Sequence, residues 1–263
     1  MVAGAAIDLE NISITLGGQP IVSQVNLSIK AGEFVCLLGP SGCGKSTVLN
    51  AIAGFLPVDG AIRVGGTAVR GPGVDRGVVF QNSDVLFPWL TASENVEYGP
   101  TIKGVAKRER AELARRYLEL VGLGNAIDKF PSELSGGMRQ RLQMARVLVN
   151  EPSVVLMDEP FGALDAQTRE VMQVELDRIW RATKPTIVFV THDIGESILL
   201  ADRVVTMTTG PSAKIKAVHD VDLSHPRTMS DPQALTLQST LRNEIGEEVS
   251  KVLRQQGLKE PGL

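Results

Sequence analysis

The sequence predicts an α/β protein: a mostly parallel sheet flanked by helices, with an N-terminal antiparallel β subdomain and an inserted α-helical subdomain. Three observations predict it. Phe34-Val35-Cys36-Leu37-Leu38, Val154-Val155-Leu156-Met157 and Thr186-Ile187-Val188-Phe189-Val190 are unbroken apolar runs, the pattern of strands buried on both faces. The first thirty residues instead alternate at period two, as half-exposed antiparallel strands do. Between the first apolar run and the second, the pattern turns helical and then reverts. The helical block is therefore inserted into the α/β core, not appended to it.

Each element follows in order. Ile7/Leu9, Ile12/Ile14 and Val25/Leu27/Ile29 give the alternating strands, and Ile62-Arg63-Val64 adds another after the turn Asp59-Gly60. Phe34 to Leu38 is the first buried strand, and Ser46 to Gly54 reads as the helix after it. Val78-Val79-Phe80 is a short buried strand ending at Gln81. From about Asn82 to Asn150 the periodicity is helical. Leu113, Tyr117, Leu118 and Val121 form one stripe closed by Gly122, and Leu142, Ala145 and Val149 form another. Lys107, Arg108, Arg110, Arg115 and Arg116, interleaved with Glu109 and Glu112, predict a solvated helix face. Gln167 to Ala182 is the crossover helix after the second apolar run, and Val204-Val205-Thr206-Met207 is a further strand. Ser230/Asp231 before Pro232 caps a last helix with the stripe Leu237, Leu241, Ile245 and Val252, packed on the core or on a partner.

Composition narrows the function. The chain has 263 residues, a net charge of −3 and 26 glycines. The slight acidity indicates no general affinity for nucleic acid. The glycine content exceeds the ~7% of ordinary chains and fits loop-borne function. Met1 to Asp8 lacks the basic segment and apolar core of a signal peptide. No apolar run approaches the ~18–20 residues that span a bilayer, so a soluble chain is expected, whose membrane role would come through a partner. Cys36 and Cys43 are placed in a buried strand and in a loop, so no disulfide is expected and a reducing compartment fits. Cys43 lies near a helix start, which lowers thiol pKa; a reactive thiol is the expectation, against an inert loop filler. His219 and His225 are expected to be solvated.

Gly39-Pro40-Ser41-Gly42-Cys43-Gly44-Lys45-Ser46-Thr47 reads G-x-x-x-x-G-K-S/T between a buried strand and a helix, a phosphate-cradling loop. Uncapped N–H groups and the positive end of the helix dipole face an anion there. Lys45 adds a full charge beside the β/γ-phosphates, and Ser46 offers a hydroxyl to Mg²⁺. Together these make the α/β core a P-loop NTPase core. Asp158 and Glu159 follow the second apolar run, at the strand edge where ligands bind in open α/β sheets. Asp158 suits Mg²⁺, directly or through water. Glu159, one residue on, points elsewhere and suits a general base toward water. Ser135-Gly136-Gly137 opens another helix and is either a second anion-binding start or an ordinary capped helix. Two phosphate-directed helix starts with one such lysine mean two ligands per chain, or one ligand shared between chains.

With these motifs in place, the chain resembles the nucleotide-binding subunits of ATP-binding cassette (ABC) transporters. Leu134-Ser135-Gly136-Gly137-Met138-Arg139-Gln140-Arg141 is similar to the family's LSGGQ-x-QR signature, with Met138 where Gln is usual. Gln81 takes the Q-loop place, Gly162-Ala163-Leu164-Asp165 the D-loop, and His192 that of the switch histidine. The resemblance runs from about residue 7 to 220. It implies a head-to-tail dimer with each ATP between the phosphate loop of one subunit and Ser135, Gly136, Gly137 and Met138 of the other. It further implies that Lys45 and the 42–47 backbone hold phosphates, that Ser46, Gln81 and Asp158 hold Mg²⁺, and that Glu159 polarises the attacking water. His192 would contact the γ-phosphate, and Asp165 would link the two sites. Leu16 stands where many relatives place an adenine-stacking aromatic, and Ser132 where similar importers often have His.

The resemblance divides the chain into an ATPase domain at 1–220 and a tail at 221–263. The α/β core occupies about 1–85 and 151–220, and the helical subdomain 86–150. Its implied partners are a second ATPase subunit (identical or a close paralogue), transmembrane permease subunits and, through them, an extracytoplasmic substrate-binding protein. Its implied location is the cytoplasmic face of the cell membrane, as a peripheral subunit. In this family the region of Phe87-Pro88-Trp89-Leu90 meets the permease; burial within the helical subdomain is the other reading of Trp89. Residues 132–141 and the short tail with His225-Pro226-Arg227 are similar to importer subunits for nitrate, sulfonate and taurine. Soluble cassette ATPases acting on DNA or ribosomes are the alternative class. Those relatives usually carry paired cassettes, coiled-coil insertions or basic surfaces, which this sequence lacks. A P-loop kinase conflicts with Ser135-Gly136-Gly137.

Overall fold

The computed structural model describes residues 3–81 and 85–255. Asn82, where helical periodicity was expected to begin, lies outside the described residues. The chain divides into two compact units, one formed by 4–73 with the chain from 186 onward, the other by 74–185.

The first unit opens with β1 (Ile7–Leu16) and β2 (Gln19–Ile29), joined by the Gly17-Gly18 turn. β4 (Asp59–Val64) and the two-residue β5 (Thr67–Ala68) complete a four-stranded sheet in the order β2-β1-β4-β5. Both pairings of β1 are antiparallel, with Ile7 opposite Ile29 and Val64. The period-two pattern puts Ile7, Leu9, Ile12 and Ile14 inside. β4 begins at Asp59, where a turn was expected.

β3 (Phe34–Leu38), β8 (Thr186–Thr191) and β9 (Arg203–Met207) run parallel, with β3 between the other two. Every residue of β3 and β8 is buried, which explains their unbroken apolar runs. Each large side chain so buried contributes roughly 1.5–3 kcal/mol. β10 (Ile215–Asp220) pairs antiparallel with β9. α1 (Lys45–Ala53), α6 (Ile194–Leu200) and α7 (Pro232–Gln255) complete this unit. α7 packs on α6 and β9. Its buried positions Ala234, Leu241 and Glu248 recur every seven residues. The helix therefore lies on the core of its own chain, and its inward face includes a carboxylate. His219, expected to be solvated, instead bonds Glu244 of α7 at 3.1 Å, and His225 is half-buried.

In the second unit β6 (Arg76–Val79) and β7 (Val154–Asp158) are parallel. Between them come α2 (Ala92–Ile102), α3 (Lys107–Leu120) and α4 (Gly136–Leu148), which pack on one another. α5 (Ala166–Thr183) follows β7. Among the described residues of the stretch expected to be helical from 82, the first α-helix begins at Ala92. Ahead of it, the loop at 87–91 is held by Asn95, which is fully buried. Its side chain accepts from the Phe87 N–H and donates to the carbonyls of Phe87, Leu90 and Thr91.

Candidate functional site

In the first unit, β3 runs straight into the loop at 39–44 and then α1. Gly42 and Gly44 sit at φ +79° and +90°, left-handed backbone that glycine adopts without strain. Gly44 caps α1 with no side-chain hydrogen bond, and the first turn has no acidic residue. The helix start thus suits an anion. Lys45 is 5% exposed. Its ammonium donates to the carbonyls of Gly39 (2.8 Å) and Pro40 (2.9 Å) and lies 3.7 Å from the Cys43 sulfur. Ser46 is half-buried.

Cys43 departs from expectation. It is 1% exposed, and burial pushes its thiol up, outweighing the lowering by Lys45. The helix start does not make it a thiolate, because desolvation penalises the charged form more.

His192 is exposed, between β8 and α6. Its turn is built from neighbours that carried no signal of their own. Thr191 Oγ1 donates to Glu196 Oε2 at 2.6 Å and accepts the Asp193 N–H at 3.0 Å. Asp193 caps α6 by accepting the Glu196 N–H at 3.1 Å. Leu16 is 40% exposed at the end of β1.

In the second unit, β7 delivers Asp158 as its last residue and Glu159 next to it, both half-buried. Glu159 has φ +45°, a left-handed backbone that is uncommon for a residue with a β-carbon and that turns it away from the strand. Gln81 Nε2 donates to Glu159 Oε2 at 3.0 Å. The Glu159 carbonyl accepts from the Gly162 N–H (3.1 Å) and from Gln140 Nε2 (3.3 Å). Gln140 Oε1 accepts the Ala163 N–H in turn. Gln143, with its amide oriented to satisfy both groups, pairs with the N–H and carbonyl of Phe80. α4 is thus tied to both ends of the Gln81–Glu159 pair by two buried glutamines, whose roles their spacing did not reveal.

Ser135 caps α4 by accepting the Met138 N–H at 3.2 Å and is exposed. Gly137 is closely packed: a methyl group there would lie 3.0 Å from Leu164 Cδ2. Asp165 is exposed and caps α5. Hydrogen bonds from the Thr168 N–H and hydroxyl hold its carboxyl below the usual range. Trp89 is 70% exposed, against the reading that buried it. Near it in sequence, Val74, Val85, Tyr98 and Ile102 are also exposed. All four line a groove of about 350 Å³ that also contains Arg146.

The residues expected to hold Mg²⁺ supply a hydroxyl (Ser46), an amide (Gln81) and a carboxylate (Asp158). This all-oxygen set suits a hard cation that keeps water and phosphate oxygens in its shell.

A glycine-rich loop with a buried lysine, set between a buried strand and a helix start, defines a nucleotide-hydrolysing class of protein. The comparisons specify it. The family model described as ABC transporter matches residues 22–162. The chain is 45% identical to an uncharacterized ABC transporter ATP-binding protein of Methanocaldococcus jannaschii, over 89% of this chain and 87% of that one. It is also 45% identical to the bicarbonate transport ATP-binding protein CmpD of Synechocystis, over 87% and 84%. Among solved structures it is similar to the ATP-binding cassette MJ0796 in a dimeric post-hydrolysis state bound to ADP and Pi. That match has 31% identity and a TM-score of 0.74, and covers 83% of this chain and 100% of that one. The chain belongs to the ABC transporter family, as an ATP-binding subunit and ATPase.

Proposed function

We propose that this subunit is the motor of an importer for a small anion. Two copies, or one copy and a close paralogue, associate head to tail. Each ATP lies between the 39–47 loop of one subunit and Ser135 to Met138 of the other. The dimeric cassette whose structure is similar supports this reading, as do the two separate phosphate-directed helix starts.

Within a site, the 42–47 backbone and Lys45 hold the β- and γ-phosphates. The weak contact of the ammonium with the Cys43 sulfur is the one a phosphate oxygen replaces. Ser46, Gln81 and Asp158 hold Mg²⁺, which when bound neutralises phosphate charge. Glu159 accepts a proton from the attacking water, and Gln81 orients its carboxylate. His192 contacts the γ-phosphate, and Asp165, ionised at its helix cap, links the two sites. Residues 1–220 form the ATPase domain, 86–150 its helical subdomain and 221–263 an appended tail.

The Gln81–Glu159 hydrogen bond carries the proposal. It joins the base for water to the strand end that leads into the 85–90 segment with its exposed Trp89, the surface assigned to a membrane permease. Cargo is delivered to the permease by an extracytoplasmic binding protein. Similarity to bicarbonate transport ATP-binding proteins supports a small anion, the class that the resemblance of residues 132–141 also implies, such as nitrate, sulfonate or taurine. No helix among the described residues is long and apolar enough to cross a membrane, which agrees with peripheral attachment at the cytoplasmic face. Co-expression with the neighbouring genes should co-purify this chain with a hydrophobic permease. Tight, salt-sensitive DNA binding without a permease would favour the DNA-acting class instead.

A further inference from the structure

We propose that Glu248 of α7 is a positioning residue for nucleotide binding: its carboxylate fixes the 208–214 segment, which backs the phosphate loop. This rests on the reading of 39–47 as the phosphate site and gives the tail a role in it.

Glu248 is 1% exposed. It pairs with Lys251 at 2.6 Å and with Lys216 of β10 at 3.0 Å. Those partners already neutralise a buried carboxylate, as burial requires. A third bond goes elsewhere: the Thr209 N–H donates to Glu248 Oε2 at 2.8 Å. Thr209 begins the turn of a segment closed at its base by the Thr208 N–H to Lys214 carbonyl bond.

That segment touches the phosphate loop and the start of β2. A methyl group on Gly210 would lie 3.8 Å from the Gly42 carbonyl. One on Gly39 would lie 3.3 Å from the carbonyl of Met207, the residue just before the segment. Further along, Ser212 and Ala213 donate to the carbonyls of Pro20 and Ile21, and Ala213 accepts from the Ser23 N–H. Ile21 and Val22 in turn crowd Gly44, at 3.3 and 2.8 Å from a methyl placed there. One turn earlier on α7, Glu244 accepts the Thr206 hydroxyl at 2.8 Å, and Thr206 is in register with Leu38, the last residue before the loop. Two carboxylates of α7 thus reach the strand and segment that flank Gly39, Gly42 and Gly44, Glu248 through the Thr209 backbone N–H and Glu244 through the Thr206 hydroxyl.

The test uses the full chain with Glu248→Ala and Glu248→Gln. Ala removes the acceptor; Gln keeps an oxygen for the Thr209 N–H while losing both ion pairs. Glu248→Ala should weaken binding of a fluorescent ATP analogue by about fivefold or more. Its KM for ATP should rise in step, with kcat at saturation nearly unchanged. Glu248→Gln should melt at a lower temperature yet keep near wild-type affinity. A purely structural role would make affinity follow melting temperature in both variants, and that result overturns the proposal, as does wild-type affinity in folded Glu248→Ala.

A second measurement needs no variant, because coupling is reciprocal. Saturating ADP should slow hydrogen exchange of the Thr209 amide and of α7 around 244–251 in the wild-type chain. Unchanged exchange there overturns the proposal. Lys45→Ala separates the two levels: if it binds nucleotide as tightly as wild type, the phosphate-loop reading itself fails. If it loses binding while Glu248→Ala does not, only the α7 proposal fails.

Discussion

Glu159 combines a left-handed backbone with hydrogen bonds to Gln81, Gln140 and Gly162, and these partners explain why that conformation persists. Gln81 holds the carboxylate, while Gln140 and Gly162 hold the carbonyl. Glu159→Gln keeps the shape but removes the base. It should bind ATP normally and lose turnover by about 10²–10⁴. Near-normal steady-state phosphate release would remove Glu159 from that role. Cys43 gives a second prediction. With a buried thiol pushed up by that burial, it should resist maleimide in the native chain and react only on unfolding; rapid native labelling at neutral pH would contradict this. The candidate site residues stand out in the sequence because strand, loop and helix fix their spacing. The burial of Cys43, the turn at Glu159 and the bonding of Gln140 and Gln143 depend on distant packing, which spacing does not encode.

At the scale of elements, legibility followed burial. β3, β7 and β8 are wholly or almost wholly buried, so each reads as an unbroken apolar run. β10 was missed because Ile215, Lys216, Ala217, Val218, His219 and Asp220 form a half-exposed strand with no clean alternation. α6 was missed because seven residues are too few for a helical period to show. α7 was foreseen, but its inward carboxylate was not. Burial alone would raise the Glu248 carboxyl. Bonds from Lys251, the Thr209 N–H and Lys216 outweigh it and hold it down to about 2. A depressed carboxyl stabilises the fold fully above its ordinary value near 4.5 and loses that contribution as pH falls toward 2. Lys216 and Lys251 are the cations paired with this carboxylate, with Glu244, Glu247 and His219 beside them. The protection factors of α7 amides, that is, exchange corrected for its intrinsic pH dependence, should therefore be flat above about pH 5 and fall steeply below 4. A pH-independent α7 would contradict the assignment.

For the whole molecule, the proposed shared site makes a prediction that no single chain can satisfy. Ser135→Arg and Lys45→Ala should each lack hydrolysis alone. Only Ser135→Arg should retain nucleotide binding as a monomer. Mixed in equal amounts they should recover roughly a quarter of wild-type turnover, since random pairing makes half the dimers mixed, each with one intact site of two. Absence of recovery would argue for two ligands per chain. The class of protein was legible from motif order alone. The cargo was not, because on this reading the permease and the binding protein contact it.

The uncovered apolar side chains of the 74–102 region have one further outcome. Val74, Trp89 and Ile102 are each at least 70% exposed, and exposed apolar surface of this kind attracts its like when its proper cover is missing. If, as proposed, the permease covers this surface, copies synthesised in excess of this membrane counterpart would therefore clump. A cell making this polypeptide does best to match its output to that of the counterpart, and detergent should rescue an orphan preparation more effectively than salt.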